Sequence, residues 1–472
     1  MSDRAGSGTD VAELFSRFGV PGGAVVLVSP RGEESLTYGS VSVARPGPVG
    51  ANTLFNVGSV AKTIVAAATG LLVAERRMQL DDRLVDWVPE FTFPEPHLRT
   101  RITLRDCLAH RLGLAREGFW EWGARESLEL TTLLGRLRHA SMARPYRSGY
   151  AYSNVGYAAV ALAASRAAGM PFLDYLRLWL DLPGDACLTG GRAARESERL
   201  SACHVLTPGP RAVRPHFADN VLGGSGIWAS ADFARVWLRL QLGATPTSGR
   251  CRQLPGRIRR ELRLPHQRVP LADRPFGVGG EACSAVHYAL GWFVTRYRGH
   301  RVLRHSGAEV GSSAHLAIAP DAGIGVFVMA NAESPAADVI GLTLIDHLLG
   351  LRPLPWATRA PMGTRAPNGS QPRLNVRSTR AHPDGLRGLT GTFRSPANGP
   401  VRITVQHGRL QMAFRDAPRF DGELVPLAGG WFRPRPADPG VRSLMEEPVR
   451  FEDRSDGSCA LRLGGLGTWQ RR

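Results

Sequence analysis

Lysine is almost missing from this chain: among its 59 Lys and Arg residues, Lys62 is the single lysine. Arginine keeps its proton in any protein setting, whereas a desolvated lysine can give one up and act as a base. A chain that hands every other cationic task to arginine has kept one cation able to deprotonate, which makes Lys62 the first catalytic candidate. Cysteine is scarce too. The six cysteines (Cys107, Cys187, Cys203, Cys251, Cys283 and Cys459) form no Cys-x-x-Cys and no paired Cys/His spacing, so no metal site is expected. Long apolar runs are lacking: Ile64 to Ala74 is too short to cross a bilayer, and Met1 to Asp10 is polar, without the apolar core of a signal peptide. The expectation is a cytoplasmic chain with free thiols and no membrane partner.

What is present is ordinary globular material. With 472 residues and 43% hydrophobic content, the chain can build one large domain and one small one. A formal net charge of +18 raises nucleic acid as a partner. The arginines are scattered, however, and no basic stripe alternates with stacking aromatics, so no nucleic-acid partner is expected. The densest patch, Arg250 to Arg268, reads as a solvated surface insertion.

Periodicity divides the chain. Val11 to Phe18 reads as a helix, and Gly23 to Ser29 and Leu36 to Val43 as a hairpin turned at Pro30-Arg31-Gly32. From Ser59 onward Val60, Ile64, Ala67, Ala68, Leu71 and Leu72 follow helical spacing, which puts Ser59 at a helix N-terminus and Lys62 one turn later on the same face. Asp81 to about Gly243 is mostly helical. From Tyr288 the period becomes strand-like, with Ala289 to Tyr297, Ser313 to Ala319 and Ile324 to Ala330, before a closing helix from Val339 to Leu349. Strands at both ends with helices between predict one antiparallel sheet covered by helices, facing an all-helical lobe across a cleft. Leu354 to Leu386, rich in proline, glycine and arginine, reads as a linker. Seven short strands follow, Gly391 to Phe393, Val401 to Gln406, Leu410 to Phe414, Glu423 to Pro426, Trp431 to Pro434, Val449 to Glu452 and Leu461 to Leu463, the pattern of a small all-β barrel. The expected organisation is therefore residues 1–353, a linker over 354–386, and a barrel domain over 387–472.

Ser-x-x-Lys alone says little, because one helical turn brings many such pairs together, and Ser59 has the bland reading of a helix cap. Two further motifs accompany it. Tyr152-Ser153-Asn154 offers a phenol and a carboxamide on one short loop before a helix, and His305-Ser306-Gly307 opens a strand. Tyr152 and His305 could each be satisfied core residues; the three motifs together favour catalysis. Phe119, Trp120 and Trp122 are candidates for the wall of an acyl pocket or for lobe core.

In that order the motifs resemble the serine β-lactamase and penicillin-binding-protein superfamily, particularly its class C and esterase-like branch. The run from Ile102 to Leu114 and the turn Gly223-Gly224-Ser225-Gly226 also look like that branch, over roughly residues 15 to 350. The resemblance implies an α/β catalytic domain in which Ser59 attacks an acyl carbonyl to form an ester intermediate. It implies that Lys62 accepts the serine proton, that Tyr152 relays a proton, and that Asn154 lines the site, with Lys62 or Tyr152 open as the main base. His305 stands where many relatives carry lysine, so it should orient Tyr152 or the substrate, with Gly307 beside the substrate. The oxyanion hole should be the backbone amides of Ser59 and Ala308. No cofactor is implied.

A Ser-x-x-Lys domain followed by a lipocalin-like barrel further resembles the stand-alone penicillin-binding-protein-type thioesterases of nonribosomal peptide assembly. That resemblance implies a peptidyl thioester substrate, held on a carrier protein, released by head-to-tail cyclisation. An esterase or D-stereospecific amidase of the same fold is the alternative; a catalytically idle ligand-binding protein is a third reading.

Overall fold

A computed structural model of the chain describes residues 11–116, 128–182, 188–206, 209–217, 219–244, 252–270, 282–359, 386, 388–445, 447–453, 459–463 and 467–471. Its centre is an eight-stranded sheet assembled from both ends of the catalytic region. The strands are β1 (Gly22–Ser29), β2 (Gly32–Gly39), β3 (Gln267–Arg268), β4 (Cys283–Tyr288), β5 (Phe293–Tyr297), β6 (His300–Glu309), β7 (Ser312–Ala319) and β8 (Ile324–Ala330). Their spatial order is β2-β1-β8-β7-β6-β5-β4-β3, with antiparallel pairing throughout. The first hairpin thus joins the last strands, Gly23 opposite Ala330, which closes the domain on itself.

Strands β7 and β8 are buried along their whole length, as expected of strands covered on both faces. Helix α5 (Ala336–Leu348) covers one face, where Gly341 lies against the His315 ring, and α4 (Ala231–Leu242) covers the other, where Leu238 meets Gly325. Between the two halves of the sheet the chain builds its lobe. Helix α2 (Ala61–Ala74) and helix α3 (Asn154–Ala168) are both almost wholly buried and rich in alanine, so small side chains let the two helices approach each other closely. Ser153 caps α3 by accepting from the Gly156 amide, and Gly169 ends it in the left-handed conformation. The lobe also carries short strands that helical periodicity did not reveal: Phe55–Asn56, Ile227–Ala229 and Leu188–Gly190 form one sheet, Cys203–Val205 and Arg211–Val213 another.

Three sequence expectations about the large sheet change: the second strand of the first hairpin runs over Gly32–Gly39 and not Leu36 to Val43. The run Ala289 to Tyr297, expected as one strand, holds a tight turn at Gly291, where the Ala289 amide donates to the Trp292 carbonyl, and β4 and β5 pair across it. Apolar residues continue through that turn and hide it. His305 does not open a strand; it lies in the middle of β6.

The C-terminal strands close into a barrel of eight: β9 (Gly391–Ser395), β10 (Gly399–Gln406), β11 (Arg409–Phe414), β12 (Gly422–Pro426), β13 (Trp431–Pro436), β14 (Val449–Asp453), β15 (Cys459–Leu463) and β16 (Gly467–Arg471). The eighth, β16, carries a single large apolar residue, Trp469, too little for a period-two signal. Along β10, Val401 and Ile403 point inward while Arg402 points out. The interior is packed with Phe393, Ile403, Met412, Phe414, Leu461 and Trp469, as an eight-stranded barrel's size permits. The barrel also grips the catalytic domain on two sides. Arg136 at the end of the Leu130–Arg136 helix pairs with the buried Asp416 at 3.0 Å, while Arg419 donates to the Arg214 carbonyl at 3.0 Å and Val310, at the β6–β7 tip, is buried among the barrel's apolar residues. Among the described residues no helix is long and apolar enough to cross a membrane.

Candidate active site

The site begins with a 3-10 turn, Gly58–Val60, that runs directly into α2. The turn leaves Ser59 partly exposed while Lys62, one turn on, is fully buried. Burying an ammonium or amine demands partners, and the described residues supply at least three. Lys62 Nζ lies 3.1 Å from Ser59 Oγ, 2.7 Å from Asn154 Oδ1 and 2.6 Å from the Gly224 carbonyl oxygen. Tyr152 Oη reaches Ser59 Oγ at 2.7 Å. Ser59, Lys62, Tyr152 and Asn154, expected together from separate motifs, therefore meet at one point.

Asn154 Oδ1 and the Gly224 carbonyl can only accept, so they take two N–H bonds from Lys62. If the amine is neutral, its lone pair faces Ser59 and Tyr152 donates to Ser59. If it is an ammonium, its third N–H faces Ser59, and the serine proton can be held by a Tyr152 phenolate. One set of heavy atoms serves both states, and in both the serine hydroxyl has an acceptor for its proton.

Backbone packing places the second half of the site. Gly58 sits at φ +49, and a Cβ there would lie 2.7 Å from the Ala308 amide nitrogen. Gly307, one residue earlier on β6, lies against the Val57 carbonyl and the Ser59 amide. Only glycines allow this approach, and it packs the β6 backbone at Gly307 and Ala308 against the turn that carries Ser59. Beyond Ala308, the half-buried Glu309 accepts from Ser225 and lies 3.1 Å from His216 Nδ1. Burial alone would raise its pKa; the neighbouring His216 and Ser225 outweigh that and hold it lowered.

His305 is buried, with its ring centroid 6.5 Å from that of Tyr152. Its Nδ1 lies 2.8 Å from the Ser306 carbonyl and must carry the hydrogen there, while Nε2 lies 3.2 Å from Tyr288 Oη. Ser306 points to the opposite face of the sheet, into a buried cluster with His315 and Asp338. Phe119, Trp120 and Trp122 lie outside the described residues.

Several neighbours carried no role in the sequence reading. His110, at φ +54, accepts from the Ser153 amide at 3.1 Å and packs its ring 4.3 Å from that of Tyr152. Burial, reinforced by the charges of Lys62, His305 and Arg116, holds its pKa well below the usual value. Asp106 ties the region down: it closes a capping box with Thr103 and receives Arg111, Arg147 and Tyr146. Burial would raise that carboxyl, and the Arg147 and Tyr146 hydrogen bonds bring it instead to about 2. Its signal in the sequence was the Thr103-x-x-Asp106 spacing.

With this geometry in place, known proteins offer a comparison. The Beta-lactamase family model matches residues 11–350. The chain is similar to the unguisins hydrolase ungD of Aspergillus violaceofuscus, 24% identical over 375 residues covering 72% of this chain and 64% of that protein, so it spans under two thirds of that relative's length. It is similar in fold to the octameric penicillin-binding protein homologue from Pyrococcus abyssi, with a TM-score of 0.60, 15% identity and 98% of each chain covered. It is likewise similar in fold to SurE, with a TM-score of 0.56, 20% identity and coverage of 98% of this chain and 97% of that one, a protein also solved with D-Leu. Because the family match runs through Ser59, Lys62, Tyr152, Asn154 and the β6 strand that lies over them, the chain belongs to the serine β-lactamase and penicillin-binding-protein superfamily.

Proposed function

We propose that this chain is a serine acyltransferase that takes a peptidyl group from a thioester onto Ser59 and releases it as a head-to-tail macrolactam. The observation that carries the reading is the double contact on Ser59 Oγ, 3.1 Å from Lys62 Nζ and 2.7 Å from Tyr152 Oη. In the first half-reaction the Ser59 oxygen forms a bond to the thioester carbon, the carbon–sulfur bond breaks, and the serine proton passes through the Lys62–Tyr152 pair to the departing thiolate. The Ser59 and Ala308 amides receive the oxyanion. In the second, the peptide's own amine forms a bond to the ester carbon, the bond from that carbon to Ser59 Oγ breaks, and the amine's proton passes through the same pair to the serine oxygen, leaving the lactam free.

Aminolysis needs water kept from the ester. A barrel held at once to the lobe through Arg136–Asp416 and to the β6–β7 tip through Val310 supports a covered cleft. The likeness to SurE along both the catalytic region and the barrel, and the structure of that protein with D-Leu, support a D-residue at the acylating end.

Hydrolysis is the second reading, favoured by the similarity to an unguisins hydrolase. Incubation of the full chain with a peptidyl thioester whose acylating residue is D separates them by mass. Cyclic product supports the cyclase; linear acid alone supports the hydrolase; neither product, with no adduct on Ser59, overturns both.

A further inference from the structure

The turn Gly223-Gly224-Ser225-Gly226 supplies a carbonyl that holds Lys62, yet within it only Ser225 has a side chain. Gly223 and Gly226 take positive φ, +98 and +79. Gly223 packs against Val65 of α2 and Ala161 of α3, and Gly224 against Asn154. A glycine-rich turn has little of its own to fix where the Gly224 carbonyl points. Its one hydroxyl, that of Ser225, donates to Glu309, the last residue of β6.

Side chains alternate along a strand, so Glu309 shares a face of β6 with His305 and Gly307. Its carboxylate accepts from the Ser225 hydroxyl, from His216 Nδ1 at 3.1 Å and from the Val310 amide at 3.1 Å. An ionised carboxylate only accepts, so His216 Nδ1 carries the hydrogen. The His216 backbone reaches toward the nucleophile: its carbonyl takes a long bond from Asn56 Nδ2 at 3.5 Å, and Asn56 Oδ1 accepts from the Gly58 amide at 2.9 Å. One side chain on the strand of Ala308 is thus tied to the turn that holds Lys62 and, through His216 and Asn56, to the turn that carries Ser59.

We infer that Glu309 is a positioning residue for acylation: through its bond to Ser225 it sets the Gly224 carbonyl, and with it Lys62, against Ser59. The role rests on the acyl-enzyme reading above and adds to it a residue that touches no reacting atom. A displaced Gly224 carbonyl lets the buried Lys62 Nζ leave its 3.1 Å approach to Ser59 Oγ. Misplacement by about 1 Å can cost roughly 10²-fold in rate. The role requires the tie and not its charge. Glutamine keeps the tie, because its oxygen can take His216 and Val310 while its NH2 donates to the serine hydroxyl, which accepts as well as donates.

The test is the pre-steady-state burst of p-nitrophenolate from a p-nitrophenyl ester, followed against ester concentration, with thermal unfolding measured alongside. It compares the full chain with Glu309→Ala, Glu309→Gln, Ser225→Ala and the double variant Glu309→Ala/Ser225→Ala. Both single alanine variants should slow the burst, Glu309→Ala by roughly 10²-fold, at a half-saturating ester concentration close to the parent's. Glu309→Gln should recover most of the lost rate. The double variant should be no slower than the slower single one, since both break the same tie. Parental burst rates in Glu309→Ala and Ser225→Ala overturn the inference and leave the acyl-enzyme reading intact. A Glu309→Gln rate as low as that of Glu309→Ala also overturns it, since that marks a need for the charge, as do losses that add in the double variant, since those mark separate roles. If Glu309→Ala does not fold, Ser225→Ala decides: a slowed burst supports the tie and a parental one overturns it. No burst in the unaltered chain, or a burst that survives Ser59→Ala, removes the acyl-enzyme reading and this inference with it.

Discussion

Gly307 lies so close to Val57 that a single methyl group on it would overlap the Val57 carbonyl oxygen and come within 3.2 Å of the Ser59 amide nitrogen. The oxyanion site proposed at Ser59 and Ala308 therefore depends on a glycine wedged against the Val57 carbonyl and the Ser59 amide. In Gly307→Ala the β6 backbone must move away from the Gly58–Val60 turn. Acylation of Ser59 should fall by about 10²-fold or more, the scale of losing one oxyanion donor, while overpacking costs roughly 1–3 kcal/mol of stability. Burst kinetics with thermal unfolding checks both, and an unimpaired burst would contradict the assignment of the hole.

Asp106 anchors the loop that carries Tyr152. Its side chain is fully inaccessible and takes Arg111, Arg147, Tyr146 and the Thr103 amide. Its native pKa of about 2 lies below the ordinary 3.8, so its contribution is fully present above about pH 4 and disappears as pH falls through about 2. By linkage that contribution is about 2 kcal/mol. Asp106→Asn leaves two guanidinium groups short of a carboxylate, with an expected loss of roughly 3–5 kcal/mol at neutral pH. Denaturant unfolding at pH 7 and pH 2 should show the gap between variant and parent narrowing in acid; a constant gap would contradict the assigned titration.

The barrel should matter for partition more than for acylation. A Cβ on Gly440 would stand 2.6 Å from Val310 Cγ1, and the Arg419 guanidinium, paired with Asp438 at 2.8 Å, donates to the Arg214 carbonyl. Gly440→Leu combined with Arg419→Ala should loosen the barrel from the β6–β7 tip and admit water. With a peptidyl thioester, the ratio of linear acid to macrolactam should rise several-fold while the rate of Ser59 acylation changes less. An unchanged ratio would separate the barrel from the choice of nucleophile.

The sequence made Ser59 and Lys62 legible through helical spacing, and Tyr152, Asn154 and Gly307 through motif order. It could not show Glu309 tied to Ser225, because that contact joins segments whose spacing has no local period. His110 sat within a recognised run but had no role until its ring was found against Tyr152. The strand β16 was invisible because one tryptophan cannot make an alternation, and the β4–β5 turn was masked by apolar residues on both sides. Lys62 entered as the cation able to deprotonate; its two obligate acceptors, Asn154 Oδ1 and the Gly224 carbonyl, are satisfied by amine and ammonium alike.

The central claim is a covalent acyl group on Ser59. Rapid quenching of the full chain with a peptidyl thioester bearing a D-residue at the acylating end, followed by intact-protein mass and peptide mapping, reads it directly. The account predicts an added mass equal to the acyl group, mapped to the peptide containing Ser59 and absent in Ser59→Ala. Turnover with no adduct at Ser59, or an adduct that persists in Ser59→Ala, would contradict it.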